Sequence, residues 1–242
     1  MRDLRHFFKL NRKVSFIIIS AILAVILCSV TVSAQSIPST DSTVVYRHDN
    51  SSKKIALTFD DGPHYKYTAE ILDILMEYGA KATFFVVGEL AERYPELVSR
   101  EIAEGHEVGN HTWSHPKMAK LTSAQLTSEI LRTERLLNEI ADYRPKLFRP
   151  PEGSFRRSSE ELAEANDYTL ILWTVDTRDW AHTPVDQIVD MVVNETEAGS
   201  IILCHDFIGR DSPTPDALRK FIPALLDKGF EFVTVSELLA SE

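Results

Sequence analysis

Cysteine is scarce in this chain, which carries only two among its 242 residues. One of them, Cys28, lies in an apolar run near the N-terminus, so cleavage of that segment would leave Cys204 alone. A lone thiol cannot form an internal disulfide, even in a compartment outside the cell that permits disulfides. The folded part of the chain is therefore expected to be stable without covalent cross-links.

Positive charge is also in short supply. The chain has 26 Lys and Arg residues against 36 Asp and Glu residues, a formal net charge of −10. Without the first 34 residues, which hold five basic residues and Asp3, 21 basic residues remain against 35 acidic ones, or −14. An acidic exterior argues against nucleic acid or an anionic membrane surface as the main partner, whereas a neutral polymer is compatible with it.

Long hydrophobic runs are confined to the N-terminus. The run from Val14 to Val32 follows a start rich in Lys and Arg, and it ends in Val32-Ser33-Ala34. Its 19 residues are just enough to span a bilayer, and its small-residue end resembles a signal-peptide cleavage site. Residues 1–34 are therefore predicted to be a cleaved signal peptide or a retained membrane anchor. Either one puts the remainder outside the cell or on its surface.

Glycine is infrequent too, with nine residues, and no glycine-rich phosphate loop follows the first predicted strand. That absence disfavours an open doubly wound sheet. Residues 35–52 are polar and predict a linker, whereas short apolar runs alternate with amphipathic stretches over residues 53–242. This alternation is typical of a single α/β domain, and the strand number favours a closed or nearly closed (β/α) barrel. The predicted strands are Ile55–Phe59, Ala82–Val87, Glu107–Gly109, Leu147–Arg149, Leu170–Val175, Ser200–Cys204 and Phe232–Val235.

Polar clusters follow five of these seven strands. They are Asp60 to Pro63, Asn110 to His115, Arg149 to Gly153, Asp176 to Trp180, and His205-Asp206. In (β/α) barrels the C-terminal ends of the strands converge on one face, where active sites lie. Five such clusters predict one shared active site.

His111 and His115 are candidate metal ligands. On a helical turn, a spacing of four residues would place both imidazoles on one face, within reach of one cation. Asp60 and Asp61 leave a strand in opposite directions, so they share the site only if the turn at Gly62-Pro63 redirects the chain. One carboxylate would then bind metal while the other handles protons, although the same residues also suit a plain surface turn. Two His and one carboxylate suit Zn²⁺ and also Fe(II), Co, Ni or Mn.

His205 is a candidate general acid because it ends an apolar strand and has carboxylates such as Asp179 available. A buried core histidine is the alternative. Arg149 is either a structural ion-pair partner or the residue that orients Asp60. Trp180 and Leu203 are either core residues or the walls of a small apolar pocket for a methyl group.

Five motifs in order make the sequence resemble the polysaccharide deacetylase (NodB-type carbohydrate esterase) family over about residues 53–239. They are Thr58-Phe59-Asp60-Asp61-Gly62-Pro63, His111-Thr112-Trp113-Ser114-His115, Arg149-Pro150-Pro151-Glu152-Gly153, Asp176-Thr177-Arg178-Asp179-Trp180 and Leu203-Cys204-His205. The resemblance implies a distorted (β/α) barrel and a metal-dependent hydrolase that removes N-acetyl groups from a polysaccharide.

The resemblance also assigns roles to individual residues. Asp60 would be the catalytic base and His205 the general acid. Arg149 would orient Asp60, and Asp179 would tune His205. The implied metal ligands are Asp61, His111 and His115, and the implied acetyl-methyl pocket is lined by Trp180 and Leu203.

Glu152 departs from the most familiar pattern, in which a Tyr occupies this place. The family uses the backbone N–H here as an oxyanion donor, which any residue except Pro supplies. The change should therefore alter substrate preference more than chemistry. Peptidoglycan N-acetylglucosamine is the expected substrate, and acetylated muramic acid, chitin oligosaccharides and O-acetylated xylan are alternatives. A non-catalytic carbohydrate-binding relative and an amidohydrolase of the same fold for small cyclic amides or formamides are the rival functions. The sequence makes no prediction of oligomeric state.

Overall fold

The computed structural model describes residues 44–209 and 211–242. The predicted signal peptide or anchor over residues 1–34 lies outside these ranges. Within them, no helix combines the length and the apolar character needed to cross a membrane.

In residues 44–209 and 211–242, a single sheet of nine strands forms the frame of the domain. Its order is β1-β6-β5-β4-β3-β2-β8-β7, with β9 pairing to the first half of β2, and all of these pairings are parallel. The sheet curls into a half-barrel, which confirms the predicted α/β fold and distorted (β/α) barrel. The strands are β1 Val44–Val45, β2 Lys54–Asp60, β3 Thr83–Val86, β4 Glu107–Asn110, β5 Leu147–Phe148, β6 Thr169–Ile171, β7 Val175–Asp176, β8 Ile201–His205 and β9 Glu231–Val233.

Three predicted boundaries need correction. The predicted strand Leu170–Val175 is in fact two strands, β6 and β7. Residues 44–45 of the predicted linker form strand β1 beside β6, so this part of the linker is structured. The last predicted strand ends at Val233, because Thr234 caps the following helix by accepting a hydrogen bond from the backbone N–H of Glu237.

Eight helices connect the strands in the described ranges, and their ends carry recognisable stop and start signals. Gly79 ends the first helix in the left-handed conformation that glycine adopts without strain. Thr122 and Gln125 form a capping box at the start of the longest one. The helices are α1 Tyr67–Tyr78, α2 Gly88–Arg93, α3 Pro95–Ala103, α4 Ser123–Ala141, α5 Arg157–Ala165, α6 Val185–Glu195, α7 Thr214–Asp227 and α8 Val235–Leu239.

The two faces of β2 belong to different apolar clusters. Ile55, Leu57 and Phe59 pack with the buried residues of α1 and α7. Ala56 points to the other face and packs with Phe85 and with Leu238 of α8. Because side chains alternate along a strand, Thr58 and Asp60 share the inner face with Ala56. The inner face thus changes from apolar to polar towards the C-terminal end of the strand, where the polar clusters converge.

Candidate active site

Arg149 and Asp60 form a buried ion pair at the end of β2. The Arg149 side chain is fully buried, and its Nη1 donates to Asp60 Oδ1 at 2.7 Å and to Thr58 Oγ1 at 2.8 Å. The rest of its guanidinium donates to the backbone carbonyls of Ile171 and Leu172, each at 3.2 Å. These four bonds hold the guanidinium in one place and direct Asp60 into the site.

The turn after Asp60 brings the second aspartate to the same place. Asp61 adopts a left-handed backbone conformation with φ of 72°, which redirects the chain. Asp61 Oδ1 then lies 3.2 Å from His115 Nε2 and 3.5 Å from His111 Nε2. His111 Nε2 is also 3.7 Å from Asp60 Oδ2. The two adjacent carboxylates therefore share one site, as the turn was predicted to allow.

His111 and His115 converge by a different route from the one predicted. Residues 111–117 form an irregular loop rather than a helical turn. Two positive φ angles bend it, 70° at Thr112 and 49° at His115, and the two imidazole centroids lie 5.1 Å apart. His111 Nδ1 lies 2.7 Å from the Arg149 carbonyl oxygen and donates to it, which leaves Nε2 facing Asp61.

The three predicted metal ligands fit a divalent cation. One ligand atom from each of Asp61, His111 and His115 lies within 4.8 Å of the others. Asp61 Oδ1 is buried and accepts no hydrogen bond from the part of the chain that the structure describes, so it is available to a cation. Burial alone would raise the pKa of Asp61, but the nearby His111, His115 and His205 bring that pKa below its usual value. A carboxylate and two imidazoles are a catalytic donor set that leaves room for water and substrate.

His205 and Asp179 form the second buried pair. His205 Nδ1 lies 2.7 Å from Asp179 Oδ1, and the backbone N–H of His205 donates to Asp179 Oδ2, also at 2.7 Å. The Thr214 hydroxyl donates to Asp179 Oδ2 at 2.7 Å, and the backbone N–H of Trp180 donates to Oδ1 at 2.9 Å. Burial lowers the pKa of His205, but the hydrogen bond and charge of Asp179 outweigh it and raise that pKa to about 9. His205 is therefore protonated at neutral pH and can donate a proton.

A cavity of about 460 Å³ connects these groups. Glu152 lies on its wall with φ of 57°, and Trp180 lies at its rim with half of its surface exposed. Arg149 and Asp179 do not line the cavity and support Asp60 and His205 from behind. The predicted site residues that line it are Asp60, Asp61, His111, His115, Glu152, Trp180, Leu203 and His205.

Four residues of this site, Gly153, Trp173, Asp176 and Thr214, have no role predicted from the sequence. Gly153, Trp173 and Asp176 line the cavity, and Thr214 holds Asp179 from the start of α7. Gly153 and Asp176 belong to two of the five motifs that carry the family resemblance, but the resemblance assigns a role to neither. Trp173 lies inside an apolar run that predicts only a strand, and Thr214 follows a proline at an ordinary helix start. Neither of these two has a local pattern that marks it.

The chain is similar to proteins of one family. Residues 47–171 match the family model described as polysaccharide deacetylase. A peptidoglycan-N-acetylglucosamine deacetylase from Bacillus cereus is 42% identical over 186 residues, which are 76% of this chain and 68% of that protein. The peptidoglycan-N-acetylmuramic acid deacetylase PdaC from Bacillus subtilis is 43% identical over 190 residues, which are 78% of this chain and 39% of that protein.

The fold is also similar to solved structures. One is a peptidoglycan N-acetylglucosamine deacetylase in complex with 4-naphthalen-1-yl-N-oxidanyl-benzamide. It superposes with a TM-score of 0.80 at 38% sequence identity, and the match covers 83% of this chain and 94% of that one.

Proposed function

The chain belongs to the polysaccharide deacetylase family, and we propose from this that it is a hydrolase that removes N-acetyl groups from peptidoglycan and releases acetate. The relatives at 42% and 43% identity act on N-acetylglucosamine and N-acetylmuramic acid of that polymer, as their names state. N-acetylglucosamine is the proposed sugar, because the B. cereus relative is matched over a larger share of its own length.

One observation carries the proposal. A metal-ligand set lies in the same cavity as two residues that can move protons, each held by a buried partner of opposite charge. Amide hydrolysis needs these elements: an activated water, a group that accepts its proton, and a group that protonates the departing nitrogen. A binding protein would need none of them.

The proposed mechanism assigns one step to each residue. A divalent cation held by Asp61, His111 and His115, proposed to be Zn²⁺, would supply Lewis acidity to the acetamide carbonyl and to the attacking water. Asp60 accepts a proton from that water while the water oxygen attacks the carbonyl carbon. The backbone N–H of Glu152 donates to the oxygen that gains negative charge. His205 donates its proton to the nitrogen as the C–N bond breaks, so that acetate and a free amine leave.

The location of the protein is also a proposal. The basic start, the apolar run and the small-residue end of residues 1–34 support export, with the catalytic domain outside the cell or on its surface. A wall polymer is accessible there, whereas small cyclic amides of the cytoplasm are not. Removal of residues 1–34 from the expressed gene should retain the protein in the cytoplasm, which cell fractionation would detect.

Acetate release from defined polymers tests the function. Purified protein is incubated with peptidoglycan, chitin oligomers and xylan, with and without a chelator, and then with Zn²⁺ or Co²⁺ restored. Release from peptidoglycan that stops with chelator and returns with metal is the expected result. Binding of peptidoglycan without acetate release, with metal present, would contradict the proposal and favour a carbohydrate-binding protein.

A further inference from the structure

The loop that presents both histidine ligands lacks the hydrogen bonds of regular structure. We call residues 111–117 the histidine loop; they form neither helix nor strand. Left-handed backbone at Thr112 and His115 is unfavourable for residues with a side chain, so the surrounding structure must impose it. The position of His115 thus depends on whatever holds this loop.

Glu129 of helix α4 holds the middle of the histidine loop. Its Oε2 accepts the backbone N–H of Trp113 at 3.0 Å and the backbone N–H of Ser114 at 2.8 Å. The Ser114 hydroxyl lies 3.2 Å from both oxygens of the same carboxyl group. One side chain therefore binds the two consecutive backbone N–H groups that lie between the two ligands.

Neighbouring groups complete the support on either side. The backbone N–H groups of Gly88 and Glu89, at the start of α2, donate to the carbonyl oxygens of Thr112 and Trp113 at 3.0 and 2.9 Å. One turn after Glu129, the Arg132 guanidinium lies 3.5 Å from the centre of the Trp113 ring. The loop is thus clamped between two helices, and Glu129 is the part of the clamp that bonds the N–H groups nearest to His115.

The other two ligands do not depend on Glu129. His111 is oriented by its bond to the Arg149 carbonyl oxygen. Asp61 is placed by the tight turn at Gly62, where a side chain would collide with the carboxyl group of Asp206, about 2.0 Å from the Cβ it would add. His115 has no such bond of its own, and a third of its side chain is exposed.

We propose that Glu129 is a positioning residue that fixes His115 for metal binding through the backbone of the histidine loop. The inference rests on the proposed metal site, and it assigns no contact between Glu129 and the cation. Replacing Glu129 should weaken metal binding while Asp61 and His111 remain in place. Loss of such an outer contact typically weakens metal affinity or activity by about 10- to 100-fold.

Metal affinity, measured without substrate, tests this role. Zn²⁺ affinity is determined by competition with a chromophoric chelator for the wild type, Glu129→Ala and Glu129→Gln. Glu139→Ala is the control, because Glu139 is an exposed acid of the same helix. We expect Glu129→Ala to bind about 10- to 100-fold more weakly. Glu129→Gln, which keeps one acceptor oxygen for the two N–H groups, should fall between it and the wild type. The visible spectrum of bound Co²⁺ should change in Glu129→Ala and stay constant in Glu139→Ala.

Wild-type affinity and an unchanged Co²⁺ spectrum in Glu129→Ala would overturn the positioning role. If that variant fails to fold, Glu129→Gln decides, and wild-type affinity there would overturn it equally. Neither result affects the proposed function, because acetate release by the wild type is measured separately. Failure of that release would contradict the function and leave the affinity comparison valid.

Discussion

Asp179→Asn should remove the proton donor from the site at mildly alkaline pH. His205 owes its raised pKa of about 9 mainly to Asp179, which accepts from both its side chain and its backbone N–H, and the charges of Asp60 and Asp61 add to the effect. An amide carries no charge to stabilise the imidazolium. Without that charge, burial lowers the pKa of His205 against only the smaller opposing effect of Asp60 and Asp61, so the value should fall towards the ordinary 6.5.

The size of the effect depends on pH in a defined way. With a pKa near 9, about nine-tenths of His205 is protonated at pH 8, against about 3% with a pKa of 6.5. At pH 6, both forms are largely protonated. The loss in kcat/KM that arises from protonation should therefore grow from less than about twofold at pH 6 to about 30-fold at pH 8.

The same shift predicts a pH dependence of stability in the metal-free protein. A pKa that folding raises from 6.5 to about 9 stabilises the fold fully below pH 6.5, and this contribution disappears as pH rises through 9. The difference of about 2.5 units corresponds to about 3 kcal/mol. His205 is only 12% exposed, so solvent screening reduces this little. Urea unfolding with chelator present should show the decline in the wild type and largely lose it in Asp179→Asn.

Acetate release measures the pH-dependent loss in kcat/KM, and proton NMR measures the pKa of His205. Thr214→Val is the matched control, because it removes one hydrogen bond to Asp179 Oδ2 but leaves the carboxylate charge. The kcat/KM of Thr214→Val should decline at the same alkaline pH as that of the wild type. A loss in Asp179→Asn that is equal at pH 6 and pH 8, or a His205 resonance that still titrates near 9, would refute the reasoning.

Three further substitutions test other parts of the site. Asp60→Asn should lower kcat at least about 100-fold with an unchanged circular dichroism spectrum, and near-normal turnover would exclude Asp60 as the base. Arg149→Ala should lower the free energy of unfolding by about 3–5 kcal/mol, since it leaves the buried Asp60 unpaired; a loss under about 1 kcal/mol in urea unfolding would contradict this. Glu152→Tyr should change the ratio of activity on peptidoglycan to that on chitin oligomers, with little effect on stability, and an unchanged ratio would show that this side chain does not contact the sugar.

The gathering of the site residues could be predicted because parallel strands place their C-terminal ends together. Asp60 and His205 end the neighbouring strands β2 and β8, and they are direct partners in the register. Their proximity therefore follows from two apolar runs that each end in a polar residue. Pattern and spacing sufficed here, since the sheet itself supplies the geometry.

The path of the chain around Trp173 could not be predicted, because it depends on partners far away in sequence. The run from Leu170 to Val175 is apolar except for Thr174 and resembles one strand. In the structure, the N–H of Leu172 bonds Val45, whereas the N–H of Thr174 bonds Ile201. The chain thus crosses from one edge of the sheet to the other, and this crossing turns Trp173 into the cavity.

The histidine spacing predicted the right pair for an incorrect reason. A four-residue interval fits a helix, yet the local sequence does not continue as one. Glu129, which bonds this loop, lies 15 residues beyond Ser114 on an amphipathic helix whose capping box marks its start but not this contact. Local periodicity records which residues can face each other within one element, but it does not record contacts between elements.

The two proton-handling residues are supported in opposite ways, and this explains how one cavity can hold both. Asp60 is backed by a cation, Arg149, and His205 by an anion, Asp179, and both partners are buried and lie outside the cavity wall. Buried charges are screened little by salt. The substrate therefore meets a proton acceptor and a proton donor whose protonation states are set by the buried Arg149 and Asp179. It follows that neither the charge of the polymer nor the ionic strength of the medium should exchange their roles.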